Sequence, residues 1–110
     1  MTLPKTGKLV RDRIPQIIED SGNEPETCVV RGEELIEALN QKLDEEVREL
    51  QSAPTSAIAE EIADVHEVLL AIATRHGLKW ADIDRHAQRK RNERGGYETG
   101  IWLLKVKSSS

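Results

Sequence analysis

Two acidic stretches hold most of the chemistry in this sequence: "DEEVREL" at Asp44 to Leu50 and "EEIADV" at Glu60 to Val65. In each, carboxylates recur three residues apart (Glu46 and Glu49, then Glu61 and Asp64), a spacing that stacks side chains along one side of a helix. Such acids can form a solvated surface, act as general acids or bases, or supply oxygen ligands to a hard cation. Which of these applies depends on where they point relative to the apolar residues.

At about 100° per residue, Leu43 marks the centre of the apolar face of the first long helix, with Ile36, Leu39, Val47 and Leu50 close beside it. Glu46 falls inside that arc, between Leu39 and Leu35, and Glu49 at its edge; Asp44 and Arg48 point away. A second helix centred on Ile62 places Ile58, Val65, Leu69 and Ile72 on one arc. Glu61 lies between Ile72 and Val68, Asp64 at the edge, and Glu60 and Glu67 face outwards. A partly buried, unpaired carboxylate costs on the order of several kcal/mol, and Arg48 points the wrong way to neutralise Glu46. Four acids converging from two antiparallel helices therefore require added positive charge. All-oxygen ligation selects Mg2+ first and Mn2+ or Ca2+ next, whereas zinc calls for paired His or Cys spacing that His66 and His76 lack. Because Mg2+ keeps several waters and commonly meets a substrate phosphate, the expected partner is a nucleotide or another phosphorylated molecule.

The elements that must position these acids are helical. Pro15 at a first-turn position, with Ile14, Ile17, Ile18 and an exit at Gly22, predicts a short helix. Gly32 then opens a long periodic segment with Glu33 and Glu34 in its first turn, running to about Gln51. "SAPTS" interrupts it, a second long helix runs from about Ser56 to His76 and closes at Gly77, and a third from about Trp80 to Arg94 stops at Gly95 and Gly96. "ETCVV" (26–30) and the apolar end 98–106 are candidates for a small β pairing. The fold expected is all-α, an antiparallel helical bundle over 1–107 as a single domain, with 108–110 as a loose tail.

A chain of 110 residues with no Phe, one Tyr and two Trp must build its core from Leu, Ile, Val and Ala. Its net charge of −4 excludes a general duplex nucleic-acid binder, which needs clustered cations in excess. No apolar run is long enough to span a bilayer. The single cysteine, Cys28, forms no internal disulfide and is expected to be buried and inert. The opening "MTLPKTGKLVRDR" lacks an apolar core of signal-peptide length, so a cytoplasmic location is expected. Val68, Leu69, Leu70 and Ile72 leave little of the second long helix polar near its end, which predicts burial against a second subunit.

"EEVRE" (Glu45 to Glu49) followed by "EIAD" (Glu61 to Asp64) resembles the EExxE and ExxD motifs of the MazG-like, all-α nucleoside triphosphate pyrophosphohydrolases. The flanks "KLVRDRIPQII" (Lys8 to Ile18) and "KRNERGGYETGIWLL" (Lys90 to Leu104) resemble end segments of a subgroup described as phosphoribosyl-ATP pyrophosphohydrolase-like, so the likeness covers nearly the whole chain. It implies a dimer or tetramer, Mg2+ held by Glu46, Glu49, Glu61 and Asp64, and hydrolysis of a nucleoside triphosphate between the α and β phosphates, a chemistry suited to removing non-canonical nucleotides. Eleven residues separate Glu49 from Glu61, at or just below the short end of the family's usual gap, which implies a tight helical hairpin without large recognition inserts. Two other functions are open: phosphoribosyl-ATP pyrophosphohydrolase of histidine biosynthesis, and a non-catalytic dimerisation or regulatory module with a structural metal.

Glu45, one position before the first ligand, is the candidate base for the attacking water, or else a solvated acid. Lys90, Arg91 and Arg94, followed by Gly95 and Gly96, are candidate phosphate contacts, or else cations complementing a helix C-terminus. Arg11, Asp12 and Arg13 would touch nucleotide, touch a neighbouring subunit, or pair with one another. Tyr97 and Trp102 would stack on a base or fill core or interface.

Overall fold

The computed structural model describes residues 3–108, and among them every regular element is helical. Four α-helices follow one another: α1 (Ile14–Asp20), α2 (Gly32–Ser52), α3 (Ile58–Arg75) and α4 (Trp80–Arg94), with a single 3-10 turn, Thr55–Ala57, leading into α3. Backbone contacts divide the chain into two compact units, Met1–Gly77 and Leu78–Ser110. The first unit holds α1 to α3 and therefore both acidic stretches.

Local chemistry accounts for the helix ends. Pro15 opens α1, where a missing N–H costs nothing because the first-turn donors have no intrahelical partner. Glu33 and Glu34 occupy the first turn of α2, Glu60 and Glu61 that of α3, each where acids complement the helix dipole. α2 stops where Ala53 turns extended ahead of Pro54, as expected for a residue preceding proline. Gly77 ends the first unit at φ 72°, its N–H bonded to the Thr74 carbonyl at 3.0 Å, a left-handed position that favours glycine.

α2 packs along α3. Ala38 and Leu39 of α2 and Val68 and Ala73 of α3 are the buried apolar residues among those described, a small core for which Ala allows close helix approach. The apolar face of α3 differs from the one expected. Ile62, taken as its centre, is 53% exposed and Leu69 is 38% exposed, while Val68 is buried and Glu61 and Ile72 are half-buried. The packed arc is centred about one residue earlier, near Glu61, a rotation of about 100°. The helix has apolar residues on two adjacent arcs, and the arc against α2 is the one that brings its acids inward.

Three further expectations are corrected. Neither 26–30 nor 98–106 forms a strand, and Val29 is 74% exposed and Trp102 85% exposed. Cys28 is exposed rather than buried because it lies in that same irregular segment, outside any packed helix face. Tyr97 and Trp102 are exposed and fill no core among the described residues, which leaves base stacking or an interface as their expected roles. Of the tail at 108–110, Ser108 is described and exposed, and the rest lies outside the described residues. Among the described residues, no helix is long and apolar enough to cross a membrane.

Candidate metal centre

The pairing of α2 with α3 brings three carboxylates together. Glu46, Glu61 and Asp64 each offer an oxygen, and these oxygens lie within 4.8 Å of one another. Glu46 comes from the middle of α2 and is the buried charged residue of the unit, only 7% exposed. Its position follows from helical periodicity: it lies seven residues after Leu39, two turns along the stripe that faces α3. Glu61 and Asp64, one turn apart on α3, are half-buried.

Two carboxylate oxygens in this group, Glu46 Oε2 and Glu61 Oε2, are buried and accept no hydrogen bond. Buried polar atoms are nearly always paired, so these two oxygens call for a proton, a donor or a cation. Like-charge crowding has a second consequence. Burial pushes the Glu61 carboxyl above the usual carboxylate value of 4.5, and the charges of Asp64, Glu46 and Glu60 push it further. Glu49 is also raised, first by the neighbouring Glu46 charge, then by partial desolvation and a side-chain hydrogen bond with Glu46, with Glu61 and Glu45 adding to it. Glu49 itself is exposed and stands beside the three-oxygen group rather than within it.

Protein cations meet part of this charge. Lys42 Nζ lies 3.3 Å from Glu46 Oε1 and 3.5 Å from Glu45 Oε1, with its side chain 17% exposed. Lys8 Nζ stands 3.7 Å from Glu45 Oε1, and Arg11 Nη2 donates to Asp64 Oδ1 at 2.8 Å. Arg11 thus pairs across the fold with α3, not with its neighbour Asp12. Lys42 is legible in the sequence as an i,i+4 partner of Glu46, whereas no local spacing points to Lys8 or Arg11, which reach the acids only through the tertiary fold. Arg48, as expected, does not serve Glu46; its Nε donates to the Asp44 carbonyl at 3.3 Å.

The outward residues behave as the helical phase requires. Asp44, Glu60 and Glu67 are exposed, and Glu45, one position from the buried Glu46, is half-buried at the cluster's edge. Lys90, Arg91 and Arg94 belong to the second unit. There they line, with Ala87, Gly95, Gly96, Tyr97 and Glu98, an open depression of about 590 Å³ in which every lining residue is exposed. A Cβ on Gly96 would stand 2.5 Å from Glu98 Oε2, so the Glu98 carboxylate folds over this glycine among the cations.

No family model matches the chain, and no solved structure matches it. An uncharacterized protein of Mycolicibacterium smegmatis is 50% identical over 48 residues, covering 44% of this chain and 49% of its own length. The chain therefore spans about half the length of the relative it matches.

Proposed function

We propose that the protein is a Mg2+-dependent nucleotide pyrophosphohydrolase, with Mn2+ as a workable substitute, that cleaves a nucleoside triphosphate between its α and β phosphates. The observation that carries this is the buried Glu46 carboxylate, which clusters with Glu61 and Asp64 and, like Glu61, has a buried Oε2 without a hydrogen-bond partner. The donor set fits a hard cation: carboxylates alone, with neither His nor Cys in the group. Glu46, Glu61 and Asp64 would hold the ion, with Glu49 as the fourth ligand once its side chain turns from solvent. When bound, the ion would supply charge neutralisation for the phosphate oxygens and polarise a water. Glu45 would orient the attacking water and take its proton as that oxygen bonds to the α phosphorus, the α–β P–O bond breaks and pyrophosphate leaves. For Lys90, Arg91 and Arg94, in the second unit, the proposal is limited to phosphate contact.

Support also comes from the MazG-like motifs, since the acids of "EEVRE" and "EIAD" that the motifs single out include the three that cluster. Assembly as a homodimer or homotetramer is part of the proposal. Ile62 and Leu69 on α3 remain exposed beside the half-buried Ile58, Val65 and Ile72, an apolar arc suited to a second copy.

Incubation with a panel of nucleoside and deoxynucleoside triphosphates and phosphoribosyl-ATP, with Mg2+, tests the activity by following pyrophosphate and monophosphate release. Turnover restricted to phosphoribosyl-ATP would instead identify the histidine-biosynthesis reaction. Mg2+ binding without turnover on any substrate would leave a metal-binding structural module and refute the enzyme.

A further inference from the structure

The segment ahead of α1 has neither helix nor strand, yet it touches both walls of the acidic cluster. Lys8 reaches Glu45 on α2 at 3.7 Å and Arg11 reaches Asp64 on α3 at 2.8 Å. The two are three residues apart, so one short stretch of backbone carries two cations to the cluster's rim. They differ from Lys42, the other cation there, in one physical respect. The Lys42 side chain is 17% exposed and locked between Glu45 and Glu46, whereas those of Lys8 and Arg11 are 64% and 57% exposed.

We propose that Lys8 and Arg11 are exchangeable phosphate-binding residues: they pair with Glu45 and Asp64 in the metal-free protein and turn to the phosphate oxygens of a substrate once a divalent cation occupies the cluster. The assignment rests on the metal site proposed above and adds to it the groups that recognise the substrate's phosphates.

Three observations lead to it. Ion pairs this exposed contribute little stability and are readily released. Five carboxylates (Glu45, Glu46, Glu49, Glu61 and Asp64) face three cations, with Glu60 adding to the negative charge at Glu61, a formal excess that a divalent ion reduces. With that ion beside Asp64, the carboxylate no longer depends on Arg11 for its counter-charge, and the two exposed cations are left next to any phosphate anchored on the metal. Their chemistry also suits the task. Arginine offers a planar fork of donors that matches phosphate oxygens, and lysine a mobile point charge. Metal and phosphate binding then become coupled, because each removes a competitor of the other.

Calorimetry on the full chain separates this role from simple support of the metal ligands. Wild type, Lys8→Gln, Arg11→Gln, Arg11→Lys and the control Arg48→Gln are titrated with Mg2+ alone and then with pyrophosphate at saturating Mg2+, with circular dichroism confirming the helices. Lys8→Gln and Arg11→Gln should bind Mg2+ as tightly as wild type or more tightly, and pyrophosphate about tenfold more weakly. Arg11→Lys should recover part of the loss, and Arg48→Gln should change neither affinity. Unchanged pyrophosphate affinity in both glutamine variants would overturn the proposal while leaving the metal site standing. So would a loss of Mg2+ affinity matching the loss for pyrophosphate, which would make these residues supports for the carboxylates. An equal loss in Arg48→Gln would reduce the effect to net charge and overturn it too. Failure of the wild type to bind Mg2+ would refute the metal site, and this proposal with it.

Discussion

The acidic hairpin and the basic end of α4 begin as the same kind of object, a charge run on a helix, and end as different ones. On α2 and α3 the charges share an arc with apolar residues, so packing the arcs carries Glu46 to 7% exposure and sets Glu61 and Asp64 beside it. On α4 no residue is buried, and Lys90, Arg91 and Arg94 are all exposed around an open depression that also admits Glu98. A charged side chain is forced into a costly, reactive environment only when its helix has a face to bury. Repulsion between half-buried carboxylates is therefore built into the hairpin, whereas the cations of α4 stand in solvent, and the two regions should respond differently to substitution, pH and metal.

The largest expected effect is on the hairpin. Glu61→Gln and Glu46→Gln should each weaken Mg2+ binding and Mg2+-dependent turnover by about 100-fold or more, beyond the tenfold to 100-fold seen when a mere supporting residue is lost. Circular dichroism should show the helices retained. On α4, the double variant Lys90→Ala with Arg94→Ala should raise the KM for a nucleoside triphosphate by about tenfold and leave Mg2+ affinity alone. An unchanged KM would return the basic end of α4 to a solvated helix terminus.

Acidity should distinguish the regions next. Glu61 and Glu49 have carboxyl pKa values raised above the ordinary 4.5 in the folded state, so the native protein holds protons more tightly than the unfolded chain. Their contribution to stability is greatest at low pH and falls as pH rises from 4.5 through the folded values. The metal-free protein with Glu61→Gln should therefore melt no lower than wild type at neutral pH and show a flatter pH dependence by thermal denaturation. Added Mg2+ should raise the melting temperature of wild type alone. A variant that melts well below metal-free wild type would show that Glu61 stabilises the fold and is not a site of stored repulsion. The smallest effects belong to the outward acids. Asp44→Asn and Glu60→Gln should alter turnover by less than about twofold, as expected for surface substitutions away from packed features.

Much of this contrast was legible in the sequence. Helix ends at Pro15, Gly77 and Gly95 follow from local backbone chemistry, and the burial of Glu46 follows from its place between Leu35 and Leu39 in projection. The centre of the α3 face was not legible, because Ile58, Ile62, Val65 and Leu69 form an apolar arc as continuous as the one that packs. Periodicity alone does not say which of two adjacent arcs meets α2 and which stays exposed. Lys8 and Arg11 were hidden for another reason: Arg11 and Asp64 are 53 residues apart, and only the folded chain brings them to 2.8 Å. The β pairing of 26–30 with 98–106 failed because β-branched and apolar composition describes what a strand can contain without supplying a partner.

If Glu46, Glu61 and Asp64 form a divalent-cation site, calorimetric titration of the metal-free protein with Mg2+, comparing wild type with Glu61→Gln and Glu60→Gln, should show it. Wild type and Glu60→Gln should bind Mg2+, and Glu61→Gln should not. Equal Mg2+ binding by all three proteins, or none by wild type, would contradict it.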